Sequence, residues 1–249
     1  MVAESHGSAG FEVSPVLLRA WRPAVPGVSE VLHARFTDHA YPRHVHDVWA
    51  ILIVDEGVIR YDLDLHEHDT DAADVTVLPP HVVHDGRAAT GQGFRKRVLY
   101  VGSSVLPESL IGRAVDGPTL RDRDLRRALD GLHRRLGAAD DALEAESRLA
   151  LVAERLRLRL AARPEPEPPA HSTTADRLRE LLDARITEPV TLEWAATVLG
   201  VSPAHLVRSF GRAFGLPPHR YVVGRRLDLA RRRLLAGEPV AEVATGVGF

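Results

Sequence analysis

The chain of 249 residues contains no cysteine, which removes disulfides, thiolate metal sites and thiol nucleophiles and makes reducing surroundings harmless to it. Its first ten residues, MVAESHGSAG, carry neither a basic start nor an apolar run, and no stretch approaches the roughly 20 apolar residues of a membrane span. A cytoplasmic protein without a membrane partner is the expectation. Neither sign of charge is in global excess: 32 Lys plus Arg face 34 Asp plus Glu, net -2, so the total does not advertise a nucleic-acid partner. Disorder-type and rod-type compositions are lacking too, because 45% hydrophobic content suffices for the cores of one large or two ordinary domains. Also missing are a nucleophile elbow, a P-loop and a Gly-rich dinucleotide fingerprint. An enzyme is therefore not expected.

What is present is an asymmetry. Residues 176–249 hold 11 Arg and no Lys against 8 acids, net +3, which leaves 21 against 26, net -5, for residues 1–175. The alternating prolines of ARPEPEPPAHSTTAD favour extended, solvated chain between the two halves. The expected division is a strand-rich domain ending in two helices over 1–163, a Pro-rich linker over 164–175 and a helical domain over 176–249. In the first half, VSEVLHARF, WAILIVDEGVIRYDLDL, DVTVLPP and FRKRVLYV read as strands, with Trp49–Val54 and Val58–Leu65 a hairpin turning at Asp55, Glu56 and Gly57. From Leu120 the period changes. Leu125, Ala128, Leu129, Leu132 and Leu136, then Leu149, Val152, Ala153, Leu156 and Leu160, recur at three and four and mark two amphipathic helices, with Asp140 as N-cap of the second. Their surplus of leucines serves either packing against the strands or pairing with a second copy.

The second half contains an internal repeat: Leu192–Val201 matches Val240–Phe249 at an offset of 48. In the first copy Ala196 suits a close helix crossing, Gly200 a positive-φ turn, Ser202 an N-cap and Pro203 the first helical position. In the helix that follows, Leu206, Phe210, Ala213 and Phe214 share one side, and Ala204, Arg208, Gly211 and Arg212 the other. This is a helix-turn-helix with a basic outer face. In a major groove Arg208 would meet a guanine edge, Ala204 and Val207 thymine methyls, and Arg212 phosphate. The connecting helix Pro218–Ala236 is expected to bury Val223, Leu227, Ala230 and Leu234 and to anchor on phosphate through Arg225 and Arg226.

The segment from Thr191 onward resembles the DNA-binding domain of the AraC/XylS family of transcriptional regulators. The resemblance implies base-facing positions for Ala204, Val207 and Arg208 and structural ones for Leu206, Phe210 and Gly215. It also implies a second recognition helix at about 250–261, past the last residue given, so the second unit is expected to be incomplete, with Val243, Val247 and Phe249 forming an apolar edge.

Seven of the 13 histidines lie between His39 and His84. His44-Val-His46 places two imidazoles on one face of extended chain, and His84 follows Pro79-Pro80-His81 on an adjoining strand. Three convergent imidazoles suit a divalent transition metal such as Zn, Fe, Ni or Cu; the alternative is that they hydrogen-bond an organic effector or one another. The spacing resembles the two motifs of a cupin over residues 28–101, and sensor domains of arabinose-type regulators are cupin-like. A cupin-like β-barrel with two C-terminal helices, followed by an all-α double helix-turn-helix domain, is thus the expected α+β fold. The cupin Glu is replaced by Ala50 or Ile51 and the usual Gly by His81, which either points inward as a fourth ligand or outward. Trp49 is a candidate effector platform or a core aromatic, depending on strand register. The expected function is that of an effector-responsive, sequence-specific regulator, with double-stranded DNA, a small molecule and a second copy of the chain as partners. The alternatives are a metal-dependent cupin enzyme and a sensor remnant that no longer binds DNA tightly.

Overall fold

The structure, a computed structural model, describes residues 17–37, 40–137, 142–163 and 173–249; His39, the expected cap Asp140 and residues 164–172 lie outside it. In chain order the strands are β1 (Leu17–Trp21), β2 (Val28–Phe36), β3 (Ala40–His44), β4 (Trp49–Gly57), β5 (Ile59–Leu63), β6 (His66–Thr70), β7 (Val75–Leu78), β8 (His84–Ala88), β9 (Phe94–Val101) and β10 (Thr119–Leu120). The helices are α1 (Ile111–Asp116), α2 (Arg123–Leu136), α3 (Ala142–Ala161), α4 (Thr174–Asp183), α5 (Leu192–Leu199), α6 (Pro203–Phe214), α7 (Pro218–Leu235) and α8 (Val240–Gly246).

The strands form two sheets, one of six in the order β1-β2-β9-β4-β7-β10 and one of four in the order β3-β8-β5-β6. Among the described residues no strand of one sheet pairs with a strand of the other, so both remain open. The expected cupin-like β-barrel is therefore corrected to two open sheets in an α+β chain. Alternation of apolar and polar residues is the same for a closed sheet and for two facing ones, and could not tell them apart. The expected hairpin is corrected as well. β4 and β5 belong to different sheets, and Gly57, at φ +78, lets the chain cross between them where a Cβ would strike the Gly93 carbonyl.

β4 holds the layers together because both its faces are covered. Trp49, Ile51 and Ile53 pack with Leu125, Leu129 and Leu156 of the helical layer. Ala50, Leu52 and Val54 pack with Tyr61, Leu63 and Val98 between the sheets. Each large apolar side chain so buried contributes about 1.5–3 kcal/mol. Asp122 caps α2 by accepting from the backbone N–H of Asp124 and Leu125, and Arg155 and Arg159 of α3 close on the same carboxylate. The Arg155 hydrogen bond, ahead of those from Leu125 and Arg159, holds that carboxyl far below the usual carboxylate range.

The helical unit begins with Thr173 and Asp176 capping α4 reciprocally. Leu178, Leu182, Ala195, Ala196, Leu206, Phe210 and Tyr221 form its core, and Val45 and Val83 from the strand unit join that cluster. Gly200, at φ +68, makes the turn into α6, which Ser202 caps by accepting from the His205 N–H. On α7 the structure departs from the expected burial. Tyr221 faces inward, while Val223, Leu227 and Leu234 are exposed, because Tyr221 and Arg225 both hydrogen-bond Asp183 of α4 and set the rotation of the helix. Among the described residues no helix is long and apolar enough to cross a membrane.

Candidate functional site

Between the sheets lies a cavity of about 50 Å³ whose walls include Tyr41, His44, His46, His84, Lys96 and Tyr100. His44 and His84 are directly opposite across the β3–β8 pairing, and His46 follows on the segment after β3. One nitrogen from each ring lies within 4.8 Å of the other two. The remaining nitrogens are accounted for locally: His44 Nδ1 is 2.8 Å from the Pro42 carbonyl, His46 Nδ1 2.7 Å from that of Val48, and His84 Nδ1 3.0 Å from that of Val82. A carbonyl can only accept, so each Nδ1 carries a proton and donates, and each Nε2 keeps its lone pair. Burial, with the charge of His44 adding, pushes His46 down to about 3, and burial drives His84 well below its ordinary value. The three rings are therefore neutral acceptors at pH 7. Such a set can hold a divalent transition metal, or accept hydrogen bonds from an organic ligand.

Lys96 lies on the same wall, its ammonium 4.1 Å from the centroid of the Tyr41 ring. Burial, then the nearby charge of Arg231, pushes it down to about 7. Sequence reasoning missed this residue, although a signal existed: it is the one lysine among 32 basic side chains. Trp49 is not in this cavity. It points from the opposite face of β4 into the helical layer, fully buried. His81 also points elsewhere, its Nε2 4.0 Å from Glu108, and His68 stacks on Tyr61.

A second cavity of about 240 Å³ opens between the sensor strands and α7, and shares Tyr41, His44, His46 and Tyr100 with the first. Its α7 side bears Arg231, paired with the buried Glu30, and Arg232, paired with Asp47. Asp47 is held low by Arg232 against the burial that opposes it, whereas burial and the adjacent Asp47 push Asp228 up to about 7. Arg43 reaches across from β3 to donate to the Gly215 carbonyl at 3.2 Å, where α6 ends at φ +66.

On α6, Ala204, Val207, Arg208 and Arg212 are exposed along the outer side, and Leu206 and Phe210 are buried. Arg225 and Arg226 are placed differently. Arg225, with 11% of its side chain exposed, donates to Asp183 at 3.1 Å. Arg226 donates to the carbonyls of Ile186 at 2.7 Å, Glu188 at 2.9 Å and Gly248. Near the far end Val243 and Val247 are buried and Phe249 is exposed.

Comparison with known proteins agrees with both halves. The family model described as AraC-like ligand binding domain matches residues 26–153, and one described as helix-turn-helix domain matches residues 195–249. The uncharacterized HTH-type transcriptional regulator YbfI of Bacillus subtilis (strain 168) is 24% identical over 222 residues, covering 84% of this chain and 79% of its own. Among solved structures, ToxT from Vibrio cholerae O395 aligns with 94% of this chain and 88% of its own at a TM-score of 0.57 and 10% identity. The AraC-like transcriptional activator CuxR aligns with 95% and 86% at a TM-score of 0.50 and 18% identity.

Proposed function

This chain belongs to the family of transcriptional regulators that join an AraC-like ligand-binding domain to a helix-turn-helix, and from that premise we propose how its parts divide the work. The protein is a DNA-binding, effector-responsive regulator rather than an enzyme. The observation that carries the proposal is that the sensor cavity and α7 share one set of walls. A molecule bound beside His44, His46 and His84 touches the space that α7 closes through Arg231–Glu30 and Arg232–Asp47. Binding there changes how firmly the helical unit is held, and with it how α6 is presented to DNA.

In this reading Arg208 reads a base edge, Ala204 and Val207 contact methyl groups, and Arg212 meets phosphate. Arg225 and Arg226 reach phosphate only if their internal partners release them. The proline-rich stretch that begins at 164 divides the sensor from the DNA-binding unit, which starts at the cap Thr173 and so takes in the last three residues of the expected linker, and the protein works in the cytoplasm. A homodimer is supported by α3, along which Leu143, Leu151 and Leu158 are 73%, 65% and 65% exposed at intervals of about two turns. Duplex selection from a random pool by the full chain tests the function: enrichment of one sequence is expected, and an unenriched pool at both low and physiological salt would overturn the reading.

A second reading of the cavity is favoured by the three inward lone pairs, which fit a divalent transition metal without any proton having to leave. Such an ion would offer an electrophilic anchor for an oxygen of the effector. Near-stoichiometric metal in the purified chain, lost in His84→Ala, supports this version; no uptake at neutral pH leaves the organic-ligand version.

A further inference from the structure

The single lysine of the chain is buried where arginines are plentiful and acids are already taken. β9 reads Phe94-Arg95-Lys96-Arg97, and the two arginines project to one side, where Arg97 pairs with Asp55 and Asp130 and Arg95 with Glu56. Lys96 projects to the other side, into the space between the sheets, and is only 9% exposed. Among the described residues it forms no ion pair; its ammonium rests on Tyr41 and lies 5.8 Å from the centroid of Phe94. The carboxylates around it are matched by other groups. Asp85 accepts from the Asp62 N–H at 2.9 Å and sits 3.7 Å from Arg43 and 3.6 Å from Arg87, and Glu30 is paired with Arg231. The imidazoles are neutral. Lys96 is therefore the one cationic side chain that faces this cavity without an ion pair, the lining carboxylate Asp85 lying between Arg43 and Arg87, and a bound anion would hold charged an amine that burial otherwise drives toward its neutral form.

We infer that the effector is a small organic carboxylate, its charged end on Lys96 and its hydrogen-bond donors on the free nitrogens of His44, His46 and His84. This rests on the reading of the cavity as the effector site and names the class of molecule it takes. A phosphate group fits worse. It calls for an arginine fork, a helix N-terminus or a nest of backbone N–H groups, and the cavity has one ammonium, three lone pairs that repel a dianion, and an apolar lining of Ala50, Leu52, Leu78 and Val98. The small volume favours a body of a few carbon atoms, and Tyr41 and Tyr100, common to both cavities, lead a longer one toward α7.

Having one lysine makes the test direct, because lysine labelled with carbon-13 contributes a single ε-methylene signal from the full chain. Butyrate and 3-hydroxybutyrate are expected to shift that signal saturably, with the hydroxy acid binding more tightly, and the isosteric butyramide to leave it in place. Lys96→Met keeps the length of the side chain and removes the charge; it is expected to retain the fold and to weaken butyrate binding at least tenfold. Equal binding of amide and acid, wild-type affinity in Lys96→Met, a response to inorganic phosphate alone, or no response to either carboxylate would each overturn the inference. No DNA enters these measurements, so their failure is separable from failure of the regulator reading, which shows in the duplex selection.

Discussion

Adjacent helices α6 and α7 carry the same basic residue type to opposite ends. Arg208 and Arg212 of α6 extend into solvent, whereas Arg225, Arg231 and Arg232 of α7 close on Asp183, Glu30 and Asp47. The difference lies not in the helices but in what faces them: Glu30 and Asp47 of the sensor and Asp183 of α4 stand opposite α7, whereas the outer side of α6 is exposed. A run of arginines in a sequence is thus a supply of charge whose use is settled by the acids that other elements place opposite it.

The strongest way to break this comparison is to treat the two sets alike. Arg225→Ala strips a mostly buried guanidinium from Asp183 and Asp47 and is expected to cost about 3 kcal/mol in urea unfolding, whereas Arg208→Ala stays within about 0.5 kcal/mol. If Arg225→Ala unfolded at the same urea concentration as Arg208→Ala, the distinction would collapse. On DNA the order reverses. Arg208→Ala is expected to lose about 1–3 kcal/mol of binding and to relax preference at one base pair, while Arg212→Ala weakens all duplexes alike and lowers the salt slope by about 1. Unchanged base preference in Arg208→Ala would remove it from the reading surface.

The smallest effect sharpens the α7 side. Asp228 is pushed up to about 7 by burial and by Asp47, so between its unfolded value and pH 7 the folded chain holds a proton that the unfolded chain has lost. Stability from this group is then lost as pH rises through that window. Asp228→Asn removes the dependence and is expected to gain on the wild type by up to about 1 kcal/mol as pH rises from about 4 to 7. A gain that instead grew toward acid pH would show that Asp47, not Asp228, carries the shared proton.

Much of the site was legible because it depends on local spacing. His44 and His84 were brought together by one register match and His46 by the chain that follows β3 two residues on, and the α6 outer face by a single helical period. What was not legible depends on partners far along the chain. Trp49 and Ala50 are interchangeable until it is known that β4 is covered on both faces and which face meets the cavity. The apolar stripe Val223, Leu227, Leu234 looked like an inner face, but two hydrogen bonds to Asp183 outranked it. Whether strands close into one sheet or stop as two is decided by edge pairing, which leaves no mark on alternation, and Gly57 looked like a hairpin turn because a crossing between sheets needs the same positive φ.

The hydrogen bond from Arg43 to the carbonyl of Gly215 has a consequence for descent. It ties the end of α6 to a sensor strand at a glycine whose missing side chain leaves room for that arginine and for Leu65. A lineage that recombined a new sensor onto this helical unit would inherit an unmatched socket at Gly215, and one that replaced the glycine would displace a sensor residue 172 positions away. Substitutions at Gly215 are therefore expected to be tolerated only with changes at Arg43 and Leu65, which couples the two units at this point of contact.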